Sequence, residues 1–263
     1  VLVYSTIPHG EVLAVDDTAA LALPGVHAVL TTFNTTAKKY NRAKLADDGC
    51  SWQEQLFPKR VRFIGDRVAM VVAGSLAIAK EAAALLRIRY RPLPHCVTMA
   101  EAKEPTAPKL HGESNVFGEA EMNCGQWPQE EGLVDTVSSF RVGRLHHGAM
   151  ETHCCVADYQ PDLPALTVWT PCQSVFSVRT GIADLLELPY HQVRVIKGAM
   201  GGSFGSKQEN ILEPLTALAA LTVKRPVKLV FSREEAMLST VVRGEMEFQV
   251  HTKATPSGKV LAL

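Results

Sequence analysis

Apolar positions fall into two stretches that alternate strand-like and helix-like periods, separated by a polar segment punctuated with glycine and proline. Residues 11–15 alternate enough for a strand, and residues 26–32 predict a second. Between them Asp16 can cap a short helix, DDTAALAL, which Pro24-Gly25 ends. Residues 61–73 read as two β segments broken at the turn pair Gly65-Asp66. Ser75 is placed to cap the helix LAIAKEAAALL, and residues 87–90 follow as a strand closed by Pro92 and Pro94.

Segment 111–136 loses this periodicity. Gly112, Gly118, Gly125, Pro128 and Gly132 interrupt it, and it reads as an extended linker. Beyond it VSSFRVGRLHH, THCCVADY and ALTVWT predict three strands. Ser174 caps a helix that ends near Leu188-Pro189, and residues 191–197 predict another strand. A glycine-rich loop then leads to a helix over 208–223. PVKLVF, a short helix at REEAML and EMEFQVHTKA complete the pattern. The fold class is α+β in two units, 1–110 and 137–263.

Composition narrows the classes of function. The 263 residues carry 27 Lys+Arg against 27 Asp+Glu without a basic stripe, which argues against a nucleic-acid partner. No apolar run approaches the ~20 residues that span a bilayer. The six cysteines show no C-x-x-C and no iron–sulfur spacing, and Cys154-Cys155 are adjacent, a poor geometry for a mutual bridge. A reducing, cytoplasmic setting is expected. The chain opens at Val1 and stops in an apolar run, as expected of a piece of something longer.

Three stretches could carry chemistry. GAMGGSFGSK, residues 198–207, puts four glycines between a strand and a helix, which allows positive φ and close approach of backbone to a ligand. A helix starting directly after it would offer free N–H groups to an anion. It is neither a Walker A loop, since Ser206 precedes Lys207 and Gln208 follows, nor a G-x-G-x-x-G fingerprint. Gln173, in TPCQ at a strand end, can donate one hydrogen bond and accept another. His147, Glu151 and His153 would share one face of a strand, so a three-ligand zinc site is a further reading, behind the preferred one of a polar strand that positions neighbouring loops. Surface ion pairs account for Arg233 and Arg243. A ligand-free glycine turn and a solvated glutamine remain open alternatives.

Together and in order, these stretches resemble the large, molybdenum-binding subunit of the molybdenum hydroxylases, the family of xanthine dehydrogenase, aldehyde oxidase and carbon monoxide dehydrogenase. STIPHGEVLAVDDTAALALPGVHAVLTT, VRFIGDRVAMVVAGSLAIAKEAAALLRIRYRPLP and the element Met99–Glu101 with Ala102 are similar to its a/b hammerhead domain. HGAMETHCCVA, TPCQ, LELP and GGSFGSK are similar to the first part of its molybdopterin-binding domain. The resemblance implies that Gln173 hydrogen-bonds an oxo ligand of molybdenum, and that Gly202, Ser203, Phe204 and Gly205 lie against the metal's ligands. Gln208 stands where eukaryotic xanthine oxidoreductases place a substrate-contacting Glu. SKQENILEP is closer to bacterial xanthine/hypoxanthine dehydrogenase subunits than to carbon monoxide dehydrogenase.

The implied reaction is hydroxylation of an electron-poor carbon, typically of a purine, with oxygen from water. Electrons would leave through 2Fe-2S clusters to FAD on partner subunits or domains, within an oligomer. The family's base glutamate lies downstream of residue 263, so no catalytic residue and no direct metal ligand is expected here, and the chain alone is expected to hold neither molybdopterin nor activity. Two alternatives stay open: an aldehyde or nicotinate-type N-heterocycle hydroxylase, and a non-catalytic scaffold fragment.

Overall fold

Runs of Val, Ile and Thr place the strands of the first hundred residues. The computed structural model describes residues 1–42, 54–116, 118–163 and 165–263, so Cys50 lies outside the described residues. In chain order the strands are β1 (Leu2–Tyr4), β2 (Gly10–Asp16), β3 (Val26–Thr31), β4 (Arg60–Val61), β5 (Arg67–Ala73) and β6 (Arg87–Pro92). The helices are α1 (Thr18–Leu21), α2 (Leu76–Leu85) and α3 (Met99–Lys103). Two antiparallel sheets result, ordered β1-β5-β3 and β4-β2-β6.

The apolar run VAMVVA, following a buried Arg67, makes β5 the central strand of its sheet. Against it α2 presents Ala79 and Ala82, which cluster with Ala20, Val29 and Val71. Ser75 caps α2 as its position predicts, its hydroxyl accepting from the Ile78 N–H at 3.3 Å. Asp16 instead accepts from Thr18 N–H at 3.1 Å, one residue before the true cap at Asp17, and α1 shortens to four residues. The break before β5 is a genuine turn, with Gly65 at φ +103°. A Cβ there would stand 2.4 Å from Leu238, so glycine is needed on two counts.

The remaining chain supplies β7 (Val134–Val142), β8 (Leu145–His146), β9 (Cys154–Gln160), β10 (Ala165–Thr170), β11 (Val193–Lys197), β12 (Val227–Val230), β13 (Val242–Arg243), β14 (Met246–Ala254) and β15 (Val260–Ala262). Helices α4 (Val175–Leu186), α5 (Glu213–Val223) and α6 (Arg233–Ser239) lie among them. A mixed sheet runs β11-β10-β9-β12, parallel only between β10 and β11, as the crossover through α4 requires. The apolar α5, buried through Leu215, Ala217, Ala219 and Ala220, packs on β9 and β12.

Two boundaries differ from the pattern. A 3₁₀ turn at Tyr190–Gln192 delays β11 to Val193. The helix α5 starts at Glu213 and not at 208, with Leu212 as its cap and Pro214 in its first turn, where a missing N–H costs nothing. A helix from 208 would place Pro214 in its interior, where its ring and missing N–H are not tolerated, and bonds from Arg42 and Arg67 hold residues 209–211 instead.

By packing, Val1–Leu110 and His147–Thr240 form one compact unit, and His111–His146 with Val241–Leu263 form another. These units run across the linear segments 1–110, 111–136 and 137–263. In the second unit β7 pairs with β14 over nine residues, and β15 extends the sheet. Residues 111–133 hold no strand or helix among those described. No described helix is long and apolar enough to cross a membrane.

Candidate functional site

Gln173 and the glycine loop meet because the strand β10 ends beside the loop that follows β11, its parallel neighbour. After β10, Thr170-Pro171-Cys172 turns inward and leaves Gln173 exposed just before Ser174, whose hydroxyl caps α4 by accepting from Ser177 N–H at 3.3 Å. The Gln173 N–H donates to the Lys207 carbonyl at 2.8 Å, fastening the glutamine to the far end of the loop.

Within the loop Gly202, Phe204 and Gly205 take φ of +96°, +54° and +90°. Phe204 is 79% exposed, whereas Ser203 and Ser206 are buried. The Ser206 hydroxyl and N–H donate to the Ser203 carbonyl at 2.8 and 3.0 Å, folding the loop back on itself. A Cβ on Gly205 would meet nothing within 4 Å, so its requirement for glycine is conformational. Gln208 is half-buried at the loop's end.

A third segment, read from the sequence as a polar strand positioning neighbouring loops, with a three-ligand metal site as the lesser alternative, does tie the loop, although it is no strand. Residues 147–153 are not a strand; they run irregularly between β8 and β9. The Glu151 carboxylate accepts from the Lys207 ammonium and, at 3.0 Å, from Gly201 N–H. In return Glu151 N–H donates to the Gly201 carbonyl at 3.1 Å. A Cβ on Gly201 would stand 2.7 Å from that of Glu151, so only glycine admits the clasp. The buried His153 ring lies 2.9 Å from the Ser206 carbonyl through Nε2.

The zinc reading of His147, Glu151 and His153 is therefore overturned: the carboxylate is spent on Lys207 and Gly201. Among the described residues no group of three His, Cys, Asp or Glu side chains is arranged to hold a metal. The helix-terminus reading also fails, because α5 begins five residues beyond Gln208. Arg233 donates to the Met150 carbonyl at 2.7 Å instead of joining an ion pair.

Burial by itself would raise the Glu151 carboxyl; the Lys207 hydrogen bond, the Gly201 N–H and the Lys207 charge outweigh it and hold it below the usual range. Behind the site Glu213 is buried, and its carboxylate accepts from Thr170 at 2.7 Å and from Ile211 N–H at 3.0 Å. Desolvation pushes its carboxyl up, and that of the buried Cys155 thiol well up. All five described cysteines are free. Sequence reasoning missed Glu151–Lys207 and Glu213–Thr170 as pairs; the signal available was the burial implied for a lysine closing a glycine loop and for a glutamate inside an apolar helix.

The arrangement presents backbone N–H groups at a strained loop and an exposed glutamine, with the loop's one cation neutralised from behind. That donor set suits an oxygen-rich, anionic group laid against it, such as a molybdopterin's metal ligands, without a protein side chain bound to the metal. The family model for the molybdopterin cofactor-binding domain matches residues 113–263, and the one for the aldehyde oxidase and xanthine dehydrogenase a/b hammerhead domain matches residues 1–94.

The chain is 31% identical to the nicotinate dehydrogenase large molybdopterin subunit of Eubacterium barkeri, over 98% of this chain and 60% of that protein. It is 32% identical to the xanthine dehydrogenase molybdenum-binding subunit of Escherichia coli O157:H7, over 92% of this chain and 33% of that protein. The solved aldehyde oxidoreductase of Desulfovibrio gigas superposes with a TM-score of 0.91 at 26% identity, covering 99% of this chain and 29% of that one. The chain thus spans about a third to three-fifths of the curated relatives described. With both domain models matched in order along an α+β fold that brings Gln173 to the glycine loop, the chain belongs to the molybdenum hydroxylase family, as part of its molybdopterin-binding large subunit.

Proposed function

We propose that this chain supplies one wall of the molybdopterin site of a hydroxylase acting on an electron-poor N-heterocycle, with a purine as the favoured substrate. The observation that carries the proposal is the junction of Gln173 with the loop, its N–H donating to the Lys207 carbonyl, which fastens an exposed glutamine beside a loop held at positive φ. Gly202, Ser203, Phe204, Gly205 and Gln173 would hold the cofactor. When bound, that group supplies the oxidising power for hydroxylation with water-derived oxygen.

The chain's own residues orient and polarise. Backbone donors fixed in advance stabilise developing negative charge without reorganising. Gln208, a neutral amide, can contact a heterocycle's nitrogen or oxygen but cannot act as an anionic base. The base, further pterin contacts and the rest of the pocket would come from other polypeptide, with 2Fe-2S and FAD partners accepting electrons. Unpaired cysteines throughout the described residues favour a reducing compartment such as the cytoplasm. A purine is favoured by the local text after Lys207 and by xanthine dehydrogenase relatives. Nicotinate is the second reading, on the strength of the Eubacterium relative.

The test is turnover by the purified holoenzyme containing this chain, with molybdenum quantified, on hypoxanthine, xanthine, nicotinate and benzaldehyde. The largest kcat/KM is expected with a purine, and Gln173→Ala is expected to lower it roughly tenfold, about one hydrogen bond to a charged group, at unchanged molybdenum content. Best turnover of benzaldehyde, or an unaltered rate in the Gln173 variant, would remove the assignment.

A further inference from the structure

Residues 209–211, directly after Gln208, belong to no helix or strand, yet each is tied to the first hundred residues of the chain. The Glu209 carboxylate receives Arg42 Nε at 2.6 Å. Asn210, which is 0% exposed, donates its N–H to the Arg42 carbonyl at 2.9 Å and its side-chain amide to the same oxygen at 3.1 Å. The Ile211 carbonyl accepts from Arg67 Nη1 at 3.1 Å. Arg67 itself stands at the start of β5, 4% exposed, with Glu54 Oε2 at 3.2 Å as its charge partner.

We infer that Arg67 and Arg42 are positioning residues: the hammerhead half of the chain clamps the 208–211 segment and so sets where Gln208 points. Burying a guanidinium is expensive, and apolar residues of similar volume commonly stabilise a core as well or better. Its donation here goes to a backbone carbonyl outside any regular element, where no intrahelical or ladder bond could do the same work. Asn210 adds a second wedge. It enters α4 opposite Gly181, where a Cβ would lie 2.6 Å from its amide nitrogen, so the segment is pinned from two sides. Pro214 bars α5 from extending back to 208, and these bonds from a distant part of the chain fix the three consecutive residues that precede it.

The inference deepens the proposed function, since the importance of Gln208's placement rests on its facing substrate. Its test is amide hydrogen exchange of the 263-residue chain, followed by mass spectrometry on peptides covering 206–212, with α2 and β10 peptides as references. Arg42→Gln, Glu209→Gln and Arg67→Met are each expected to speed exchange in 206–212 by roughly tenfold to a hundredfold while the references stay within twofold, as loss of a charged donor to a buried group requires. The reciprocal swap, Arg42→Glu with Glu209→Arg, should restore most of the protection. Should Arg67→Met not fold, the Arg42 and Glu209 variants, at half-buried positions, carry the test.

Exchange that rises equally everywhere, or no change in 206–212, overturns the clamp. A holoenzyme arm separates the two readings. With local loosening, a KM for purine raised several-fold at a nearly constant kcat supports clamp and substrate contact together. Local loosening with an unmoved KM retains the clamp and removes Gln208 from the substrate pocket.

Discussion

The Glu151–Lys207 clasp makes an unequal pair, and the inequality can be measured. The Lys207 side chain is 3% exposed and that of Glu151 is 33% exposed, so the cation depends on its partner far more than the anion does. Removing one partner of a buried pair costs about 3–5 kcal/mol, because the survivor is left charged and dry. Partial exposure of Glu151 admits water to the site and discounts this, so Glu151→Gln should cost about 2–3 kcal/mol. Lys207→Met keeps the apolar stem packed and leaves a carboxylate that can hydrate and still accept Gly201 N–H, so it should cost about 1 kcal/mol or less. The double variant should resemble Lys207→Met alone. Urea unfolding of the 263-residue chain, followed by far-UV circular dichroism at neutral pH and low salt, yields all three values. The pH dependence has a definite sign. Glu151 is held below its ordinary 4.5 in the fold, so its contribution is full above that value and fades as pH falls through the lowered one. The gap between wild type and Glu151→Gln should therefore shrink in acid. A Lys207→Met variant as destabilised as Glu151→Gln, or single effects that simply add in the double variant, would refute the reasoning.

Two other sites yield expectations of different kinds. Asp66 is buried, and desolvation raises its carboxyl from 3.8 to about 6 despite Arg67 and two N–H donors beside it. The folded chain thus binds this proton more tightly than the unfolded one, and the stability this group contributes is full below 3.8 and lost as pH rises to 6. Relative to wild type, Asp66→Asn should gain at most about 3 kcal/mol between pH 4 and pH 7 in denaturant titrations, and a gap that stays flat across that range would exclude the effect. At the loop, Gly201→Ala drives a Cβ to 2.7 Å from Glu151 and should cost about 2–4 kcal/mol by unsettling the clasp. Gly205→Ala meets open space and pays only for φ +90°, about 1–2 kcal/mol. Thermal melts that rank the two in the opposite order would contradict the close-approach argument.

What the sequence made legible was whatever one short stretch decides. Strands β2, β3, β5 and β10 follow from segments holding several β-branched residues, and the caps at Ser75 and Ser174 follow from a hydroxyl placed before an apolar helix. Gln173 and the loop were legible because family motifs mark them. The pairings were not, since Glu151 and Lys207 lie 56 positions apart and Arg67 and Ile211 lie 144 apart. Periodicity carries no information at such separations. The helix α5 is a contrary case: Pro214, tolerated only in a first turn, bars a start at 208, and that local signal outweighs the apolar pattern read across 208–223. The histidine run misled for a related reason. Reading it as a strand assigned faces by period two to a segment that is irregular between β8 and β9.

Strain in the loop and the bonds at its ends belong to one design. Three of its four residues from 202 to 205 sit at positive φ, and Phe204 does so with a full side chain, which costs on the order of 1–2 kcal/mol. Such a conformation persists only where the surroundings over-determine it. Here Gly201 and Lys207 share the Glu151 carboxylate, His153 meets the Ser206 carbonyl, and Gln173 N–H holds the Lys207 carbonyl. Each tie lies at or beyond an end of the strained stretch, and none uses a group at its apex. The N–H groups of the apex therefore stay unspent while the chain around them is immobilised. Under the proposed function that is the condition for donors that stabilise charge without moving, and it gives Glu151 and His153 the part of supporting the loop.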